Sequence, residues 1–122
     1  SISLSRLGDL WHRRKTCLKD VLRHEFGHAV ADTHRGLIRS RKFREAFGAP
    51  HTWDVQWTYD AWHHVSEYAA TAPAEDFAEV FMMYLQFGGK LPAHFKTQAI
   101  RNKWKFIREL GSAISRGHRR WQ

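Results

Sequence analysis

From about residue 9 to residue 34 apolar side chains recur at spacings of three, four and seven: Leu10, Trp11, Leu18, Val21, Leu22, Phe26, Ala29 and Val30. That is a helical period, and it predicts one long helix or two with these residues on the inward face. Ahead of it, Ile2 and Leu4 alternate with Ser and predict a short strand that Gly8 breaks. Residues 37–47 read as a second, basic helix, with Gly48 and Pro50 as its stop signal. Over residues 51–68 the period is lost. Trp53, Trp57, Tyr59, Trp62 and Tyr68 mix with His51, His63 and His64, as in a loop running into a short helix over about 59–70. Thr71-Ala72-Pro73 marks a break and a new start, because Pro is tolerated in a first helical turn. The helix it opens covers about 73–87 and closes at Gly88-Gly89. A last helix over about 93–115 carries the stripe Ile100, Trp104, Ile107, Leu110 and Ile114. The predicted fold class is mainly α, with a possible edge strand at the N-terminal end.

Length and composition add one domain spanning residues 1–122: 43% of the chain is hydrophobic, with six Trp and eight Phe to build a core. No run approaches the ~18 apolar residues a bilayer requires, so no membrane partner is expected. No basic start followed by an apolar stretch marks a secretion signal. A single cysteine, Cys17, excludes an internal disulfide framework and a Cys-rich zinc cluster; it is expected to be a bystander. It favours the cytoplasm while leaving secretion open.

The net charge of +8 matters less than its distribution. Residues 1–44 hold eleven Lys and Arg against four acids, residues 45–89 hold seven acids and no Lys or Arg, and residues 90–122 hold nine Lys and Arg against Glu109 alone. An acidic centre suits a cation, and the basic flanks suit a polyanion or an acidic partner.

Within the first helical segment lies His24-Glu25-Phe26-Gly27-His28. Residues four apart on a helix lie on one face, so His24 and His28 can chelate one Zn²⁺ through imidazole nitrogens. Glu25 can then reach water in the open coordination position and act as general base. So short a pattern can arise by chance; the helical period around it supplies the context it requires. A catalytic zinc usually takes a third protein ligand, and three candidates stand. His34 lies at the metzincin spacing, but Ala31 occupies the place where that pattern has a Gly to leave the helix sharply. Glu75, in Glu75-Asp76-Phe77-Ala78-Glu79, shares a helix face with Ala78, Glu79 and Met82. A small Ala78 would let that helix approach the zinc helix, and Glu79 could accept a hydrogen bond from the free nitrogen of a ligating His. Asp76 is explained as well by the favourable placing of acids at a helix N-terminus. The third candidate is one of His63 and His64, for which a surface position is the simpler reading.

His24-Glu25-Phe26-Gly27-His28-Ala29-Val30, followed 47 residues after His28 by Glu75-Asp76-Phe77-Ala78-Glu79, resembles the gluzincin metallopeptidases. The resemblance is to the anthrax lethal factor catalytic domain and to bacterial zinc-binding metallopeptidases with an H-E-x-G-H … Y-A … E-D-F-A-E pattern, whose middle element Tyr68-Ala69 matches here. It covers about half the chain. It implies a zincin-like core that hydrolyses peptide bonds in a peptide or protein substrate, with zinc on His24, His28 and Glu75 and with Glu25 as base. It also implies that Tyr68, seven residues before Glu75, helps stabilise the oxyanion. The strand that such domains pair with an extended substrate would have to come from residues 2–4. The aromatic stretch 53–62 could line a side-chain pocket, although packing in the core is the simpler use of its Trp residues.

Two other classes compete. A nucleic-acid module would rest on the basic flanks and on Lys103-Trp104-Lys105-Phe106 and residues 116–121, where basic and aromatic residues interleave. Trp104 also fits the core stripe of the last helix, which would leave the charges as a solvated face. A zinc-binding module without catalysis would keep the metal ligands but has no need of Glu25 or Tyr68.

Overall fold

A computed structural model describes residues 18–122 of the chain. The strand expected at residues 2–4, the start of the first expected helix and Cys17 lie outside the described residues. Among the described residues the chain is mainly helical and contains no strand. Its helices are α1 (Leu18–Thr33), α2 (Arg35–Ile38), α3 (Arg41–Phe47), α4 (Pro73–Gln86) and α5 (Gln98–Ser115), with 3₁₀ turns at Tyr68–Thr71 and Ala93–Phe95. None of the described helices is long and apolar enough to cross a membrane.

The centre of the molecule is α4. Pro73 opens it, and every residue from Asp76 to Met83 is buried, so the helix is surrounded on all sides. It packs against α1, α3 and α5 and against the 3₁₀ turn before it. Phe77 lies in an aromatic cluster with Phe43, Phe47 and Phe106, in which Phe43 and Phe47 stack at 4.5 Å and Phe106 meets Phe43 edge-on at 5.5 Å. The stripe of α5 does what its spacing predicts: Ile100, Trp104, Ile107 and Leu110 are buried, and Ile114 partly.

The apolar period of α1 misleads. Its buried residues are Asp20, Val21, His24, Gly27 and Ala31, while Leu18, Leu22 and Phe26 stay exposed, Leu22 at 60%. The inward face is chosen by the fit to α4. A Cβ at Gly27 would stand 3.3 Å from the Ala78 Cα and 3.2 Å from the Phe81 ring, so a glycine facing an alanine permits the approach.

Local capping changes three boundaries. The expected helix over 37–47 is two helices, because the Ser40 hydroxyl donates to the Leu37 carbonyl at 2.7 Å and accepts the Phe43 N–H at 3.1 Å, making Ser40 the N-cap of α3. Gly48, with φ of 84°, then ends α3 as expected. The helix expected over 59–70 does not form. Asp60 Oδ1 accepts from the Trp62 and His63 amides, each at 3.0 Å, in a local side-chain turn that is not continued into a helix; only Tyr68–Thr71 coils, as a 3₁₀ turn. The last helix begins at Gln98 and not near 93, because the Thr97 hydroxyl accepts the Ile100 N–H at 3.2 Å.

Candidate metal centre

His24 and His28 project from α1 towards the first two turns of α4, where Glu75 and Glu79 face them. His24 Nε2 lies 3.0 Å from Glu75 Oε1, His28 Nε2 lies 2.9 Å from the same oxygen, and the two Nε2 atoms are 3.2 Å apart. Three donor atoms thus form a nearly equilateral triangle. Ligands held at ~2.0–2.1 Å by a tetrahedral ion stand roughly 3.3 Å apart, and the triangle is only slightly tighter. Two imidazole nitrogens in contact, both resting on one carboxylate oxygen, crowd the ring protons that would join them into one point. A cation at the triangle resolves that crowding, so the donor set fits a zinc ion.

Behind the triangle, His24 Nδ1 stands 2.8 Å from Glu79 Oε2, and Glu79 is fully buried. Its other oxygen accepts the Ser66 hydroxyl proton at 2.7 Å, and Ser66 Oγ accepts in turn from the Ala69 amide at 3.2 Å. The chain Ser66–Glu79–His24 fixes the orientation of the His24 ring and makes Nδ1 the protonated nitrogen, leaving Nε2 as a donor atom for a metal. Nothing in the spacing of Ser66 marks it for this role.

The charges follow from this geometry. Burial pulls the His24 imidazole down, but hydrogen bonds and charge from Glu75 and Glu79 outweigh it and raise its pKa to about 9. Burial pushes the Glu75 carboxyl up, yet the bonds and charges of His24 and His28 bring it to about 2. Positive charge at this point is therefore stabilised, whether a proton or a metal ion brings it.

Glu25 joins the cluster from α1: ligand-capable atoms of His24, Glu25 and His28 all lie within 4.8 Å of one another. Glu75 is nevertheless the carboxylate in contact with both rings. Tyr68, on the 3₁₀ turn, places its ring 5.8 Å from that of His24. His24, Glu25, His28, Tyr68, Glu75 and Glu79 are thus gathered in one place from three separate stretches of sequence.

The other candidate ligands lie elsewhere. His34 ends α1, with its amide bonded to the Val30 carbonyl at 3.0 Å, and lines a cleft with Arg35, Gly36, His118 and Arg119. His63 is exposed and held by Asp60 at 2.9 Å. His64 is buried, with the Trp57 and Tyr59 rings at 6.2 and 6.1 Å. Trp53 and Trp62 are 57% and 59% exposed, against the expectation that they pack the core. His51 was not singled out by any spacing. It sits edge-on to Phe43 and Phe77, with its buried Nε2 lacking a hydrogen-bond partner among the described residues, and burial followed by the charge of His28 lowers its pKa.

Asp76 and Lys103 correct the sequence reading most. Asp76 is no surface decoration of a helix start: it is fully buried and accepts from Lys103 Nζ at 2.7 Å. Lys103 also donates to the His63 carbonyl, and with Trp104 and Phe106 it lies in the interior and not on a basic, aromatic surface.

Searches against protein-family models, curated proteins and solved structures return no match for this chain.

If the triangle holds zinc, replacing Glu79 by Ala is expected to weaken the affinity about 10- to 100-fold while leaving the triangle in place. Competition with a chromogenic chelator measures this, and unchanged affinity would remove Glu79 from its supporting role.

Proposed function

We propose that this chain is a zinc-dependent peptidase of gluzincin type, holding one Zn²⁺ through His24, His28 and Glu75. The observation that carries the reading is the triangle of His24 Nε2, His28 Nε2 and Glu75 Oε1 at 2.9–3.2 Å, with Glu79 bonded behind His24. When bound, zinc supplies a Lewis acid that lowers the pKa of water towards ~7 and polarises a substrate carbonyl.

Each remaining role belongs to a residue of the chain. Glu25, next to His24 on α1 and within the same cluster, is the proposed general base. It takes a proton from the attacking water and returns it to the leaving amine. The Tyr68 hydroxyl donates to the carbonyl oxygen as negative charge develops there. Glu79 holds the His24 ring through Nδ1. The helical core is then the two-helix platform of a zincin, with α1 and α4 carrying the ligands.

Metal analysis tests the ligand set. The purified protein is expected to hold about one zinc per chain, His34→Ala to keep it and Glu75→Ala to lose most of it. Zinc kept by Glu75→Ala and lost by His34→Ala would move the site to the metzincin spacing. A peptide-library digest separates a peptidase from a zinc-binding module without catalysis: a zinc-loaded protein that cleaves nothing would sink the peptidase reading.

A further inference from the structure

The acidic middle of the sequence supplies the metal centre, and the basic flanks are left to be explained. Residues 35–44 carry five exposed cations and residues 105–120 carry five more, and eight of these ten are Arg. The fold joins the two blocks. The aromatic contacts of Phe43 with Phe106 pack α3 on α5, and Lys42 reaches Glu109 at 3.1 Å. The tail after α5 folds back over α2 and α3: Trp121 Nε1 donates to the Leu37 carbonyl at 2.9 Å, and Lys42 Nζ lies 4.4 Å above the Trp121 ring. Gly36 allows the tail to seat, since a Cβ there would run into the Arg119 carbonyl oxygen.

We propose that this face, formed by α2, α3, the later part of α5 and the tail, binds the phosphodiester backbone of nucleic acid without reading its sequence. Three acids border it: Glu45 and Glu109 are already paired, with Arg41 at 3.0 Å and with Lys42, and Asp32 lies one turn before Arg35, whose Nε donates to the Asp32 carbonyl at 3.2 Å. Among the described residues no carboxylate besides Glu45 and Glu109 pairs with a cation of the face. Where α1 and α2 meet the end of α5 there is a cleft of about 470 Å³ with Arg35 and Arg119 in its walls beside His34 and His118. The negative end of α5 does not spoil it. His118 and Gly117 donate their amides to the Ala113 and Ile114 carbonyls, each at 2.9 Å, with Gly117 at φ of 75°, which closes the last turn on itself.

The chemistry selects the occupant. Guanidinium groups match phosphate oxygens in a two-pronged geometry, and a nucleic-acid strand repeats that charge at every residue. No aromatic platform accompanies them: Trp104 and Phe106 are buried, and Trp121 has Lys42 over its ring. Contacts therefore fall on phosphates and not on bases, which makes the binding salt-dependent and indifferent to sequence.

Fluorescence anisotropy of the full chain with labelled mixed-sequence duplexes tests this. Expected is saturable binding that weakens steeply with salt and is equal for unrelated sequences. Arg35→Glu/Arg119→Glu should lower affinity about tenfold or more and reduce the slope of log affinity against log salt by about two. Lys90→Glu/Lys96→Glu makes the same change of net charge outside the face and should alter binding little. Gly36→Ala, which changes no charge but displaces the tail, should also weaken binding, with circular dichroism showing the helices intact. Equal losses in the two charge-reversed variants, no binding at physiological salt, or competition by polyglutamate as effective as by duplex would each overturn the proposal. The last result would assign the face to an acidic protein.

Discussion

Glu25→Gln is expected to leave zinc bound and to lower the turnover of a cleavable peptide by about 10²- to 10⁴-fold, the usual contribution of a positioned general base. Gln keeps the shape of the side chain but cannot take a proton. The ligand triangle uses His24, His28 and Glu75, so it is untouched by the change. The loss should fall on kcat and equally on kcat/KM, because proton transfer is made in the transition state and not in substrate binding. Zinc content measured on the same sample decides how a loss is read. Activity lost together with the metal would make Glu25 a ligand, which its place in the cluster with His24 and His28 permits. Activity within tenfold of the parent at full zinc occupancy would take the base role away from it.

How much of this was legible in the chain depends on the kind of interaction. Local signals were readable: Pro73 at a helix start, the stripe of α5 and the pairing of His24 with His28 are all set within a few residues of themselves. The relation of Glu75 and Glu79 to those histidines was suggested by a helix face and by Ala78, because close approach of two helices demands small residues at the crossing. Burial of α1 was not readable. Its strongest apolar stripe, Leu18, Leu22 and Phe26, is the exposed one, since α4 selects the face that carries His24, Gly27 and Ala31. Side-chain competition for backbone groups was equally hidden. Ser40 splits in two a segment whose composition allowed one longer helix. The partners of a buried charge lie far apart in sequence, and no periodicity in the neighbourhood of either can announce them.

That last class carries the largest expected effect on stability. Lys103→Met is predicted to destabilise the fold by about 3–5 kcal/mol, the usual result of removing one partner of a buried ion pair. Lys103 and Asp76 are 4% and 0% exposed, and Lys103 Nζ is also bonded to the His63 carbonyl. Burial already pushes the Asp76 carboxyl up, to about 6, against the pull of Lys103 and with a further push from Glu79. Its Oδ1 has no partner among the described residues, so nothing else is in place to receive the charge once Lys103 is gone. For a domain of this size the melting temperature should fall by roughly 10 °C or more. Lys105→Met, at an exposed position on the same helix, should change it little. If the loss comes from a stranded carboxylate and not from the changed volume, Asp76→Leu/Lys103→Met should recover most of the stability, because an apolar pair carries no desolvation penalty. A double variant as unstable as Lys103→Met alone would instead assign the effect to the bond with His63, which ties the Asp60 turn to α5. Because Asp76 is the neighbour of Glu75 in the first turn of α4, the same pair also anchors the helix end that carries the proposed third zinc ligand. Zinc retention in the double variant would then show that the anchor is a matter of packing and not of charge.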